Sequence, residues 1–158
     1  MAISSLYIND ESGLAPDNDF EGQVDMFQVL ATSDNALSEF DKSTGVTSFP
    51  LLDELPASFA DMISTSVNNK KDFVIPAAHG IIAPNFIRAV HARWVVSKVN
   101  GRLKPGMIFN GGAVSDSTIR EIPITASLVF DRRKANPDTG NNISLSDTFA
   151  VGVTSVIP

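Results

Sequence analysis

From residue 70 onward, the chain is a series of β-branched and aromatic segments separated by turn residues. Segments 86–99 and 118–131 are the longest, and turn signals recur about every 8 to 14 residues. The sequence has neither a strand–helix–strand alternation nor an internal repeat. We therefore expect a mainly β protein, an antiparallel β-sandwich or barrel with one or two short helices and with extended N- and C-terminal arms.

Turn residues predict how several of these strands are arranged. Asn100-Gly101 is a strong hairpin signal, so we expect segment 86–99 to pair with the strand that starts at Arg102. A break at Pro123 within segment 118–131 suits an edge strand or a bulge. The apolar tail 151–158 is predicted to be an arm that becomes ordered on a neighbouring subunit.

Two short helices are predicted in the first half of the chain. Near 33–41, Ser33 could cap a helix that has Leu37 and Phe40 on one face. Near 56–66, a proline suits the first turn, and apolar residues follow at helical intervals. The apolar face of the second helix could contact the core or a partner, and it gives no indication of a cofactor site.

The length of 158 residues suits one domain, which we place at 23–158 after an acidic N-terminal arm at 1–22. The first ten residues have no basic region and no long apolar run, so we expect no signal peptide. The uncharged stretch 73–87 is shorter than the ~20 residues that a membrane helix needs, so we expect no membrane partner.

Charge is divided unevenly along the chain. Residues 1–69 contain twelve acidic residues and one basic residue, whereas residues 70–158 contain eleven basic and six acidic residues. The acidic half could neutralise the basic half within one molecule. Alternatively, an acidic arm could meet a basic face on the next copy and orient it. Nucleic acid is disfavoured because the net charge is -6 and the only dense basic run is 132–134.

Local motifs do not predict an enzyme or a cofactor. The chain has no cysteine and only two histidines, His79 and His91, neither of which has a carboxylate near it in sequence. Segment 17–22 resembles the start of an EF-hand calcium loop, but Gln28 at position 12 cannot supply the bidentate carboxylate. A solvated acidic turn is the favoured interpretation. Asp138-Thr139-Gly140 lies between turn residues and is also interpreted as a loop.

The acidic start, the apolar tail, the Asn100-Gly101 hairpin signal and the segment 122–130 together resemble small structural proteins of phage and virus particles. These are capsid cement or decoration proteins and tail tube or adaptor proteins. The resemblance implies a non-enzymatic subunit of the virion, assembled in the host cytoplasm. Its partners would be copies of itself or a capsid or tail protein, with a small-molecule ligand disfavoured. The candidate assembly contacts are Asp17, Asp19, Glu21, Trp94, Arg132, Arg133 and Lys134.

Two alternatives stay open at this point. One is a β-sandwich module that binds carbohydrate or peptide on a platform of Trp94, Tyr7 and exposed phenylalanines. The other is a small barrel enzyme or ligand binder that uses His79, His91 or Asp116. A binder or an enzyme should show a concave pocket with convergent polar groups, whereas a structural subunit should show flat, extended contact surfaces.

Overall fold

The computed structural model of the chain describes residues 28–52, 62–83, 86–97 and 101–157. These residues form antiparallel sheets, which confirms the mainly β fold class. A 3₁₀ turn spans Phe49–Leu51. The strands in chain order are β1 (Ala31–Ser38), β2 (Asp41–Lys42), β3 (Ile63–Ser64), β4 (Lys71–Pro76), β5 (Val90–Val96), β6 (Arg102–Phe109), β7 (Ser115–Asp116), β8 (Arg120–Glu121), β9 (Ser127–Arg133) and β10 (Phe149–Val156).

Six of the strands form one sheet. Its order is β1-β4-β10-β6, and the short strands β7 and β8 both pair with the far edge of β6. Strands β5 and β9 form a separate antiparallel pair, and β2 pairs with β3. The β5–β9 pair packs on the central strands of the six-stranded sheet, so the fold has two layers.

The core between the layers comes from the alternation of side chains along each strand. In β6, Met107 and Phe109 face the β5–β9 pair and pack around Ala92 of β5. Val129 of β9 packs at the other end of the same interface, with Leu103. Two apolar clusters therefore run along one face of β6, and both contact the pair.

Pro105 lies inside β6, where a proline would ordinarily interrupt the sheet. The main-chain oxygen of Pro105 accepts a hydrogen bond from the amide of Ser117, on the side of β7 and β8. Because the N–H and the C=O of one residue point to the same side of a strand, the missing N–H of Pro105 also faces that side. The pairing of β6 with β10 on the other side therefore continues over eight residues.

The opposite face of the six-stranded sheet holds an aromatic ring over two glycines. Gly152 of β10 pairs with Phe73 of β4 on one side and with Gly106 of β6 on the other. Phe73 is fully buried and packs with Ile108 and Ala150. The absence of a Cβ on both glycines leaves the space that the ring occupies.

The prediction of a helix near 33–41 is wrong. Those residues belong mostly to β1, which pairs with β4 and has two register irregularities along it. Asn35 accepts a hydrogen bond from the amide of Leu37, and Asp34 accepts hydrogen bonds from the amides of Ser48 and Phe49. Side chains of this type compete with helical hydrogen bonding, and the pairing with β4 decided the conformation.

The second predicted helix, 56–66, lies largely outside the described residues. Its last part is not helical, because Ile63–Ser64 forms β3. The acidic N-terminal arm, 1–22, lies outside the described residues altogether.

The predicted C-terminal arm is also wrong. Strand β10 is a central strand that pairs with both β4 and β6. A β-branched segment without formal charge suits a strand that has neighbours on both sides. The apolar character of this tail therefore reflects burial within its own sheet.

The hairpin predicted at Asn100-Gly101 does not form either. β5 pairs with β9, whereas β6 pairs with β10, β7 and β8, so the chain crosses between layers at this point. A hairpin forms instead around the second Asn-Gly of the sequence. Asn110 and Gly111 have φ of 50° and 70°, as a type I′ turn requires, and the amide of Gly112 donates to the main-chain oxygen of Phe109 at 2.8 Å. This turn opens the connection 110–114 between β6 and β7. The break predicted at Pro123 is confirmed, because it separates β8 from β9.

Candidate assembly surface

The outward side of the β5–β9 pair combines apolar and cationic side chains. We call it the outer face, and its six residues are His91, Arg93, Val95, Leu128, Phe130 and Arg132. They form three cross-strand pairs, His91 with Arg132, Arg93 with Phe130, and Val95 with Leu128. All six side chains are exposed, and none is acidic.

The apolar part of the outer face consists of three adjacent side chains, each about half exposed. Val95, Leu128 and Phe130 have exposed fractions of 46%, 57% and 53%. They are contiguous, because Val95 lies opposite Leu128 and Phe130 follows two residues later on the same face. A continuous apolar patch on an exposed sheet face is typical of a surface that another molecule covers.

The cationic part borders this patch. The imidazole of His91 contacts Phe130 edge-on, with ring centroids 5.3 Å apart. Partial burial, together with the charges of Arg93 and Arg132, lowers the pKa of His91 below its usual value, although Asp131 opposes this effect. His91 is therefore mainly neutral at pH 7, and the two guanidinium groups supply the charge of the outer face.

A shallow groove runs beside this face. Arg120 and Glu121 of β8 line one side, and Leu128 and Phe130 of β9 line the other. The groove is small and open, so it extends the contact surface without forming an enclosed ligand pocket.

The structure separates the predicted basic run into three environments. Arg132 lies on the outer face, and Lys134 is exposed just beyond β9. Arg133 points inward, where its Nε is 2.9 Å from the Oδ2 of buried Asp131 and its Nη2 donates to the main-chain oxygen of Ser115 at 2.8 Å. Arg133 therefore connects the two layers within one molecule.

Trp94, the aromatic residue among the predicted contacts, lies on the inward side of β5. It is half-buried and packs against both apolar clusters between the layers. Its neighbours Arg93 and Val95 take the outward positions instead. The three acidic contacts, Asp17, Asp19 and Glu21, lie outside the described residues.

Sequence reasoning missed most of the outer face. Arg93, Val95, Leu128 and Phe130 were not among the predicted contacts. The signal for them was present, because the period-2 alternation of β5 places Arg93 and Val95 opposite to Trp94. The alternation does not indicate that β9 is the partner of β5, and this pairing is what brings the four side chains together.

A second polar cluster lies inside the fold, around Asp72 of β4. Its carboxylate is buried, accepts a hydrogen bond from the amide of Phe40 at 3.0 Å and lies 3.6 Å from the Nζ of Lys42. Burial raises the pKa of Asp72, although the amide of Phe40, the hydroxyl of Ser48 and the charge of Lys42 oppose this effect. This cluster anchors the turn between β1 and β2 to the sheet, which is a structural role.

At the opposite end of the sheet, Asp147 holds the loop before β10. Its two carboxylate oxygens accept hydrogen bonds from the side-chain amide of Asn110 at 2.7 Å and from the main-chain amide of Ser144 at 2.9 Å. The hydrogen bond from Asn110 is the main reason that the pKa of Asp147 is lowered. The carboxylate of Asp147 therefore forms its hydrogen bonds within the molecule and stabilises the loop.

The residues considered for an enzyme site lie apart. His91 lies on the outer face, whereas Asp116 of β7 lies beside Gly106 and accepts a hydrogen bond from Thr154, on the far side of the other layer. His79 accepts a hydrogen bond from the amide of Ile81 within its own turn. In the described ranges, no three His, Asp or Glu side chains are grouped in a way that could hold a metal ion.

The part of the chain that the structure describes contains no helix long and apolar enough to cross a membrane. Comparison of the chain with protein-family models, with curated proteins and with solved structures found no match. The residues and contacts described above therefore carry the functional proposal.

Proposed function

We propose that the protein is a non-enzymatic structural subunit that assembles with copies of itself or docks on a larger shell. In the more specific form of this proposal, it is a virion component of the capsid cement, decoration or tail type. The observation that carries the proposal is the outer face of the β5–β9 pair, where Val95, Leu128 and Phe130 are exposed side by side between arginines.

The chemistry of this surface favours protein–protein contact over catalysis. Its polar groups are cationic or neutral, and it borders a shallow groove lined by both charged and apolar residues. Covering three large apolar side chains stabilises an interface, while the surrounding charges act mainly on orientation and association rate. The uneven division of charge along the chain supplies an acidic counterpart within the same sequence.

The proposal is tested by measuring the mass of the purified full chain by light scattering at low salt and at about 1 M salt, where the screening length is about 3 Å. We expect an oligomer whose mass falls at high salt, and rings, tubes or shells by electron microscopy. A monomer at every salt concentration, with no binding to capsids or tails from candidate hosts, would refute the proposal.

A second candidate is a peptide-binding module, which one observation favours. Among the described residues, β5 pairs only with β9, so its other edge offers main-chain groups that an extended peptide could pair with. The carbohydrate form of this alternative has less support, because Trp94, one member of its aromatic platform, lies on the inward side of β5. A monomer that retains extended peptides from a display library would favour the peptide module.

A further inference from the structure

We propose that the outer face of the β5–β9 pair is the docking site for the acidic N-terminal segment, residues 1–27, of a second copy of this chain. This inference deepens the proposed function and rests on it, because it names the partner of the same surface. It keeps Arg132 and the three acidic residues of the predicted contact set, and it leaves out Arg133 and Trp94, whose side chains face inward.

Charge complementarity is the first argument. Residues 1–27 contain six acidic residues and no basic residue. The outer face has Arg93 and Arg132 and no acidic side chain, and its exposed arginines lie on either side of Phe130. Opposite charges arranged in this way select a partner and fix its position.

Apolar complementarity is the second argument. The N-terminal segment is not uniformly polar, since Leu6, Tyr7, Ile8, Phe20 and Phe27 are distributed among its acids. The exposed side chains of Val95, Leu128 and Phe130 offer a matching apolar surface. A segment with both properties is suited to this face, whereas a purely acidic polymer would leave the apolar residues uncovered.

The third argument concerns where the segment joins the fold. It leads into β1, which is the outermost strand of the six-stranded sheet, three positions away from β6. The outer face belongs to the other layer and points away from that sheet. To cover its own outer face, the segment would have to turn around the edge of the molecule. Its 27 residues span up to about 90 Å when extended, which is ample to reach a neighbour.

The test uses charge reversal in the full chain. The face variant is R93E/R132E, the segment variant is D17K/D19K/E21K, and the control is K70E/K104E, which changes net charge as much as the face variant but lies in the other layer. We expect the face and segment variants each to associate at least about tenfold more weakly at low salt, and the control to associate like the wild type. Circular dichroism and thermal unfolding should show that all four proteins are folded.

Mixing the two defective variants gives the decisive result. In a 1:1 mixture, each reversed face can meet a reversed segment on the other chain, and each normal face can meet a normal segment. We expect the mixture to regain the wild-type mass, which requires contact between copies. Two variants that stay dissociated after mixing would overturn the inference.

The remaining outcomes separate this inference from the proposed function. A wild type that is monomeric at every salt concentration removes this inference and leaves only docking on a larger shell for the proposed function. If that monomer also fails to bind capsids or tails, the proposed function is refuted as well. A wild type that assembles, together with an R93E/R132E variant that assembles equally well, removes only this inference. Binding of a labelled single-stranded oligonucleotide that R93E/R132E loses, with unchanged self-association, would assign the outer face to nucleic acid and overturn it as well.

Discussion

Replacing Gly152 by alanine should destabilise the fold strongly, because β10 has no room for a Cβ at this position. The added carbon would lie 2.6 Å from Cγ and 2.7 Å from Cα of Phe73, and it would also collide with the main-chain oxygen of Asp72. Two of these atoms belong to the backbone, and β10 is paired on both sides. Neither neighbouring strand can move away without loss of hydrogen bonds, so we expect a cost of about 2 to 3 kcal/mol, as for an overpacked core.

Urea unfolding of the Gly152→Ala variant can be followed by the fluorescence of Trp94, which is the only tryptophan and packs between the layers. With a slope of about 2 kcal/mol per molar urea, the midpoint should fall by about 1 to 1.5 M. Gly106→Ala is the matched control. There the added carbon would meet only the ends of side chains within 3.2 Å, Asp116 Oδ1 at 2.9 Å and Phe73 Cζ at 3.2 Å, so we expect about 1 kcal/mol or less. Equal midpoints for Gly152→Ala and the wild type would refute the close approach of β4 to β10.

Three further predictions use single residues. Arg133→Met should destabilise the fold by about 3 kcal/mol in urea unfolding, since it leaves the buried carboxylate of Asp131 without its ion pair. The control Arg132→Met should change stability by less than about 0.5 kcal/mol. Similar effects for the two variants would contradict the assignment of inward and outward arginines. Because burial raises the pKa of Asp72 above 3.8, its ionisation opposes folding. The free energy of unfolding should therefore fall as the pH rises from about 3.8 toward the folded-state pKa of Asp72. Asp72→Asn should lose this pH dependence, and an unchanged profile in the variant would show that another group is responsible. The NMR titration of His91 should give a pKa below 6.5. In Arg132→Ala this pKa should rise toward its usual value, because one nearby positive charge is removed. An unchanged pKa in the variant would contradict the cross-strand pair of His91 with Arg132.

How much of the fold was predictable differs from strand to strand. β9 and the break at Pro123 follow from local composition, because β-branched alternation and a proline act within a few residues. β1 did not follow, since Ser33, Leu37 and Phe40 fit a helical spacing. Pairing with β4 decided between the two conformations, and that contact spans more than 30 residues of sequence.

The two Asn-Gly pairs show the same limit. Both Asn100-Gly101 and Asn110-Gly111 carry the local signal for a tight hairpin, but only the second has flanking strands that pair with each other. At the first, the strands on either side find partners elsewhere, β5 with β9 and β6 with β10. A turn signal describes which backbone angles are accessible, but the competition among strands decides whether its flanks pair.

For the candidate site, the sequence predicted the chemistry better than the geometry. The division into an acidic start and a basic remainder can be counted directly, and it suggested charge-guided assembly. The contacts predicted from the sequence also included Arg133, which the structure places beside Asp131, and Trp94, which it places half-buried between the layers. Neighbouring residues in a strand face opposite sides, so a basic run in the sequence cannot by itself be a basic surface.

The sequence by itself therefore determined the β class, the alternation within β5 and β9, and the separation of charge, because these depend on residue type and short-range periodicity. The tertiary structure alone decided which strands are neighbours and which of their two faces is covered. Those outcomes depend on pairing between distant segments, and that pairing joined Arg93, Phe130 and Arg132 on one exposed face while it left Trp94 half-buried behind them.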